Sequence, residues 1–213
     1  MYGLSKNVRR KYNLIKMSYL TYQGKRVQQN HKYLTNSISF PSEILIGTQI
    51  WKTKNVSIDI DAGGPDPNVG QSKVYDNDEA NRALYGCLYT QDMLPYIETA
   101  FPGWRIPSQS DFQTLFDYLD ISGTTSAGQM KEMGLTYWDS PNTGATNSSG
   151  FSARGGGYYL PPMSSFSYIK QIGYFRCGGP GFELAILQYG SAGYTFDLFP
   201  VSSSMYSVRL IKN

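Results

Sequence analysis

A chain of 213 residues with a formal net charge of +3 is long enough to bury one substantial core and carry an extension. Tyrosine and glycine are abundant, at 18 and 22 residues, and charged residues make up only 16%. That balance excludes a helical bundle and suits a loop-rich, β-containing fold. No apolar run is long enough to span a bilayer as a helix, and the basic N-terminus has neither an apolar h-region nor a small-residue cleavage site, so no secretory signal is visible. Two cysteines, Cys87 and Cys177, are too few for a disulfide-stapled scaffold. One bridge between them is conceivable; two free, partly buried thiols fit better.

Residues 1–42 read as a basic arm. Lys6, Arg9, Arg10, Lys11, Lys16, Lys25, Arg26 and Lys32 all precede the first acidic residue, Glu43. Such an arm is expected to be solvated or docked on a partner chain rather than bound to nucleic acid. Within it, Leu20 and Tyr22 share a face before Gln23-Gly24-Lys25, and Val27 and Tyr33 share one after it. This is a short β-hairpin, too small to stand alone, which must pack on the main domain or on another copy of itself. Thr35–Ser42, with Pro41, is a linker.

Residues 43–213 form the main domain. A strand is predicted at Glu43–Trp51, followed by a turn-rich loop at Asp59–Gln71. Helices follow at Asp78–Tyr85, at Asp92–Ala100 with Pro95 in its first turn, at Ser108–Leu119 and at Ser126–Glu132. In the third, Ser108 caps the helix, Asp111 stands where a capping box has Glu or Gln, and Phe112, Leu115, Phe116 and Leu119 form one apolar face. After Tyr137 helical periodicity ends. Strands are predicted at Tyr168–Cys177, Glu183–Tyr189, Tyr194–Phe199 and Ser204–Ile211, giving an α+β domain.

Catalytic constellations are hard to assemble. The run GFSARGGGY at 150–158 lacks the Gly-Lys-Ser/Thr of a phosphate loop, so its glycines are read as permitting left-handed or crowded backbone. His31 is the single histidine and lies far in sequence from any candidate serine, so no hydrolytic triad forms. No cofactor is expected. Asp59, Asp61 and Asp66 could converge oxygens on a hard cation, although Asp in a Gly/Pro loop makes turns without any metal.

Five patches occur in a fixed order: IGTQIWKTKNV at 46–56, YDNDEANRALYGCLYT at 75–90, PGWRIPSQSDFQTL at 102–115, GFSARGGGY at 150–158 and YSVRLIKN at 206–213. Together they resemble the Fibrobacter succinogenes major paralogous domain, a branch of the C-type lectin-like fold. The resemblance implies a rigid scaffold displaying a variable binding face, not an enzyme. Trp104, Phe112, Leu115, Trp138, Phe151 and Val208, in or near these motifs, are expected to be buried. A formylglycine-generating enzyme of related fold would need a reactive cysteine pair, and Cys177 has no near neighbour of its kind.

The chain departs from the family pattern between Tyr174 and Ser204. Tyr174-Phe175-Arg176-Cys177 stands where relatives usually read Tyr-Trp-Ser-Ser, and Phe175 is read as a substitute for the tryptophan. The layout is similar to that of variable proteins of diversity-generating retroelements. The resemblance therefore implies a diversified receptor-binding or display protein of a phage or gut bacterium, on a virion or cell surface, binding a protein or glycan without membrane insertion. A homo-oligomer, a trimer by analogy to phage receptor-binding proteins, would add avidity. The alternative is a non-diversified structural module whose C-terminal aromatics are mostly core. The candidate ligand-binding set, placed in 173–206, is Tyr174, Phe175, Arg176, Gly178, Phe182, Glu183, Tyr189, Ser191, Tyr194, Phe196, Asp197 and Phe199. Tyr174, Arg176, Phe182, Tyr189, Tyr194, Asp197 and Phe199 are expected largely on one exposed face.

Overall fold

The computed structural model describes residues 43–61, 71–199 and 203–213, and within the arm the backbone of two strands. Those strands, β1 (Thr21–Tyr22) and β2 (Lys25–Arg26), pair antiparallel, with Thr21 opposite Arg26 and Tyr22 opposite Lys25. The rest of the arm, including His31 and the 35–42 linker, lies outside the described residues, and so does Asp66 of the main domain.

The main unit is α+β. Its first strand is a hairpin, β3 (Glu43–Ile46) and β4 (Gln49–Lys52), rather than the single strand predicted. Gly47, at φ +60°, supplies the left-handed turn that the uninterrupted apolar pattern concealed. Helix α1 (Glu79–Tyr85) is capped by the Asp78 carboxylate on the Ala80 N–H, and α2 (Leu94–Ala100) carries Pro95 in its first turn. Strands β5 (Leu88–Tyr89) and β6 (Trp104–Arg105) flank α2. Helix α3 (Gln109–Leu119) buries Phe112, Leu115 and Phe116, and α4 (Ser126–Met130) follows.

The C-terminal half is strand. β7 (Gly156–Leu160) pairs with β8 (Ser165–Ile169), and β9 (Ile172–Arg176), β10 (Glu183–Gln188) and β11 (Tyr194–Leu198) form an antiparallel meander. The strand predicted at 168–177 is thus two, broken at Lys170, whose φ is +61°. The glycine reading holds: a Cβ on Gly157, φ +62°, would run into the Ser167 carbonyl oxygen.

The closing segment joins two sheets. β12 (Tyr206–Ser207) enters a five-stranded sheet of order β11-β10-β9-β12-β5, and β13 (Ile211–Lys212) enters a four-stranded sheet of order β3-β4-β13-β6. Between them the Val208 carbonyl accepts from the Val56 N–H and the Leu210 carbonyl from the Lys52 N–H, both at 2.9 Å. Arg209 fills the junction. Its guanidinium is buried, lies over the Phe151 ring, and donates to Asn55 Oδ1 and to the carbonyls of Lys52, Phe151 and Ser152. Burial pulls its pKa down to about 9, which still leaves it charged at neutral pH.

The main core lies between α3, the four-stranded sheet and the inner face of the five-stranded sheet. Trp51, Phe112, Phe116, Trp138, Phe151 and Phe175 meet there. Of the residues expected to be buried, Phe112, Leu115, Trp138, Phe151 and Val208 are fully so. Trp104 is only half-buried, because it packs on a second cluster with its ring beneath the ammonium groups of Lys52 and Lys212.

Candidate functional site

The five-stranded sheet separates structure from surface by simple alternation. Its inner face carries Phe175, Cys177, Ala185, Leu187, Tyr194 and Phe196 against α3 and the core. Tyr194 stacks on Phe116 with ring centroids 3.7 Å apart, and its hydroxyl accepts from the Gln113 side-chain amide at 2.8 Å. Phe196 meets Phe116 edge-on, and Phe175 packs edge-on against Phe151. Phe175 therefore occupies a structural core position.

The outer face carries Ile172, Tyr174 and Arg176 on β9, Leu184, Ile186 and Gln188 on β10, Thr195 and Asp197 on β11, and Tyr206 on β12. Five rings group on it: Tyr158, Tyr168, Tyr174, Phe199 and Tyr206. Tyr174 meets Tyr158 at 5.6 Å, Tyr206 at 5.5 Å and Phe199 at 6.2 Å, and Tyr158 meets Tyr168 at 5.8 Å. Tyr174 and Tyr206 are buried beneath the group. Phe199 and Tyr158 are half-buried, and Tyr168 is 46% exposed. Burial, then the neighbouring Tyr158, pushes the Tyr174 phenol above its ordinary pKa. Burial raises the Tyr206 phenol likewise, so Tyr174 and Tyr206 are neutral at physiological pH.

Arg176 is a strut under this face. It is fully buried, lies over the Tyr206 ring, and donates to Gln91 Oε1 at 2.9 Å and to the Ser204 carbonyl at 2.8 Å. Gln91 in turn donates to the Gly179 carbonyl. One side chain thus fixes both the return into β12 and, through Gln91, the β9–β10 loop. Its Nε finds no acceptor among the described residues. Burial lowers its pKa to about 10, so it stays cationic.

Tyr168 holds a left-handed backbone, φ +63°, directly across the β7–β8 ladder from Gly157 at φ +62°. For a bulky aromatic residue this conformation costs on the order of 1–3 kcal/mol and persists only where the surroundings impose it. The kink removes one rung of the ladder, and Tyr168 packs on Tyr158 at the exposed margin of the ring group.

The expectation of one exposed face is corrected. Tyr174, Phe175 and Arg176 are buried, and Tyr189, Tyr194, Phe196 and Phe182 are only partly exposed. Strand alternation sends Phe175, Tyr194 and Phe196 inward, while Tyr174, Arg176 and Asp197 lie on the opposite face. Tyr189 also packs on the main core. Gly178 is held by its N–H on the Pro107 carbonyl, and the Ser191 carbonyl accepts from Lys131. Glu183 opens β10 in the inward register, half-buried. Asp197 alone of the twelve side chains is well exposed. Sequence reasoning missed Tyr158, Tyr168 and Tyr206, which lie in or near matching motifs, and Gln188 and Thr195, which are not aromatic. Period-two alternation read outward from Tyr174 reaches Gln188 and Thr195 through the strand register.

Other polar groups are internally satisfied. Lys131 is buried, and its ammonium donates to the carbonyls of Thr143, Gln188 and Ser191 at 2.7–3.0 Å. Burial brings its pKa down to about 8, while three carbonyl acceptors favour the charged form. A cleft of about 200 Å³ is lined by Asn55, Arg82, Arg154 and Arg209 among others, but its arginines are already engaged: Arg82 by Glu79 and Asp59, Arg154 by Glu132, and Arg209 as above. Cys87 and Cys177 are free, buried thiols, each pushed up to about 12 by desolvation. Asp59 pairs with Arg82 and Asp61 accepts from Gln71. Among the described residues no group of three or more His, Cys, Asp or Glu is placed to hold a metal ion.

Residues 44–212 match the Fibrobacter succinogenes major domain family, and the chain belongs to it. No curated protein and no solved structure matches the chain. No helix among the described residues is long and apolar enough to cross a membrane.

Proposed function

We propose that this is a ligand-binding display protein built on a C-type lectin-like fold, and not an enzyme. The observation that carries the reading is the partition of the five-stranded sheet. The segment that departs from the family pattern keeps its inward residues packed on a fixed core, while Gln188, Thr195 and Asp197 project outward beside a supported group of aromatic rings. Rigid tyrosines among small polar residues make a contact surface with low ordering cost. Diversification by a retroelement fits this arrangement, since outward positions on such a sheet change without disturbing the core. The ligand is a protein or glycan on a cell surface, and the bearer is a phage or a gut bacterium. The arm, through its hairpin, joins copies into a homo-oligomer, taken as a trimer.

Sequencing the locus across many isolates tests the diversification. Differences should concentrate at outward positions such as Gln188, Thr195, Asp197 and Phe199, beside a reverse transcriptase and an imperfect repeat of codons 173–211. Uniform differences with neither element would leave a non-diversified module, a reading that the burial of Tyr174, Phe175 and Arg176 favours. Binding of the full chain to glycan and displayed-peptide arrays, with and without alanine at Thr195, Asp197 and Phe199, tests the face itself. Equal capture by both proteins would overturn it.

A further inference from the structure

Rings elsewhere in the molecule already hold cations. Lys52 and Lys212 lie over Trp104, Arg154 over Tyr137, Lys131 over Trp138 and Arg209 over Phe151. On the outer face, Arg176 takes Tyr206 from beneath, with its guanidinium carbon 4.9 Å from the ring centroid. Tyr158, Tyr168, Tyr174 and Phe199 hold no such cation among the described residues. Arg176 is fully buried, and both its Nη groups are bonded to the scaffold. Asp197 is then the one exposed charged side chain on strands β7 to β12. One of its oxygens accepts from the Leu198 N–H at 2.8 Å, and the other has no partner among the described residues. It stands across β10 from the Arg176 row of the sheet, since Leu184 pairs with both.

We infer that this face selects a cationic protein segment, one presenting arginine or lysine side chains. The inference rests on the binding reading above and commits it to a basic protein partner rather than a glycan. The ring faces attract a guanidinium or ammonium through their quadrupoles. The Asp197 carboxylate supplies the matching charge, and strands β7 to β12 carry no exposed cation to repel the incoming one. An acidic glycan or phosphopeptide would meet the carboxylate and gain nothing.

Fluorescence anisotropy on the full chain tests this. The probes are a short labelled peptide with arginine at alternate positions, its glutamate counterpart, and a labelled neutral mannose trisaccharide. The arginine peptide should bind at least about tenfold more tightly than either of the others and weaken as salt rises. Asp197→Asn should lower its affinity about two- to fivefold, and Asp197→Lys about tenfold. Tyr168→Asn, which suits a left-handed backbone, should lower it about two- to fivefold while keeping the melting temperature at or above that of the parent. Circular dichroism confirms that each variant is folded. Equal or tighter binding of the glutamate peptide or the trisaccharide overturns the cation selection. If Tyr168→Asn then weakens that other probe, the binding face stands and only its charge preference falls. No binding by any probe, or no effect of Asp197→Lys, overturns the inference.

Discussion

Replacing Asp111 with asparagine should destabilise the domain in a way that depends on pH. Asp111 joins the start of α3 to the four-stranded sheet. Its carboxylate takes both Nη groups of Arg105, on β6, at 2.5 and 2.8 Å, and accepts from the Ser108 N–H at 2.7 Å and the Ser108 hydroxyl at 2.6 Å. The Ser108 hydroxyl caps the Asp111 N–H in return, so both halves of the capping box are present. The Arg105 guanidinium, with help from Ser108, holds the carboxyl at about 2, below the ordinary 3.8. That difference corresponds to roughly 2 kcal/mol at neutral pH. Arg105 is 38% exposed along its side chain, and solvent screening reduces the figure to about 1–1.5 kcal/mol. Asparagine keeps the shape but turns one arginine acceptor into a donor. For a domain of this size the loss should lower the melting temperature by about 2–6 °C. The folded-state pKa lies below the unfolded one, so the stabilisation is present above 3.8 and is lost as pH falls through about 2. Parent and variant compared by calorimetry from neutral pH downward should show a constant gap that narrows only below about 4. No gap at neutral pH, or a gap that persists unchanged at the acidic limit of folding, would refute the reasoning.

Three further outcomes follow from the same structure. Arg209→Met should cost about 3–5 kcal/mol in urea unfolding, because three buried acceptors and one part-buried acceptor lose their donor at the junction of the two sheets; a loss below about 1 kcal/mol would show that water replaces it. Phe112→Ala should cost a similar amount through the cavity it leaves beside Trp51 and Phe175, and near-parent stability would mean that the core lies elsewhere. Cys87 and Cys177 should react with a thiol reagent only after denaturation, since both are buried and neither is a thiolate at neutral pH; rapid labelling of the native chain would contradict their placement.

Much of the fold was legible in the sequence because its signals are local. Ser108 with Asp111 and the spacing of Phe112, Leu115 and Phe116 define α3, and Asp78 marks α1. The closing Ser-Val-Arg was recognisable, but its physical role was not, because the acceptors of Arg209 come from residues more than fifty positions away. Turns made by left-handed non-glycine residues, such as Lys170, carry no sequence signal, so pattern alone joins β8 and β9. The candidate face was half legible. Composition singles out the segment 173–206, but aromatic identity does not report exposure there. Strand register, not residue type, separates Tyr194 and Phe196, packed on Phe116, from Asp197 and Thr195, which face outward.

The central claim is that one face of the sheet is a fixed scaffold and the other a display surface. Deep mutational scanning of residues 172–199, displayed on yeast and sorted separately for folding and for capture of whichever ligand the arrays identify, tests it most directly. Phe175, Ala185, Leu187, Tyr194 and Phe196 should tolerate few substitutions in the folding sort. Gln188, Thr195 and Asp197 should tolerate nearly all of them there and yet change capture. The buried supports Tyr174 and Arg176 should follow the first group. Tolerance without this alternation, or capture that is indifferent to Gln188, Thr195 and Asp197, would contradict the account.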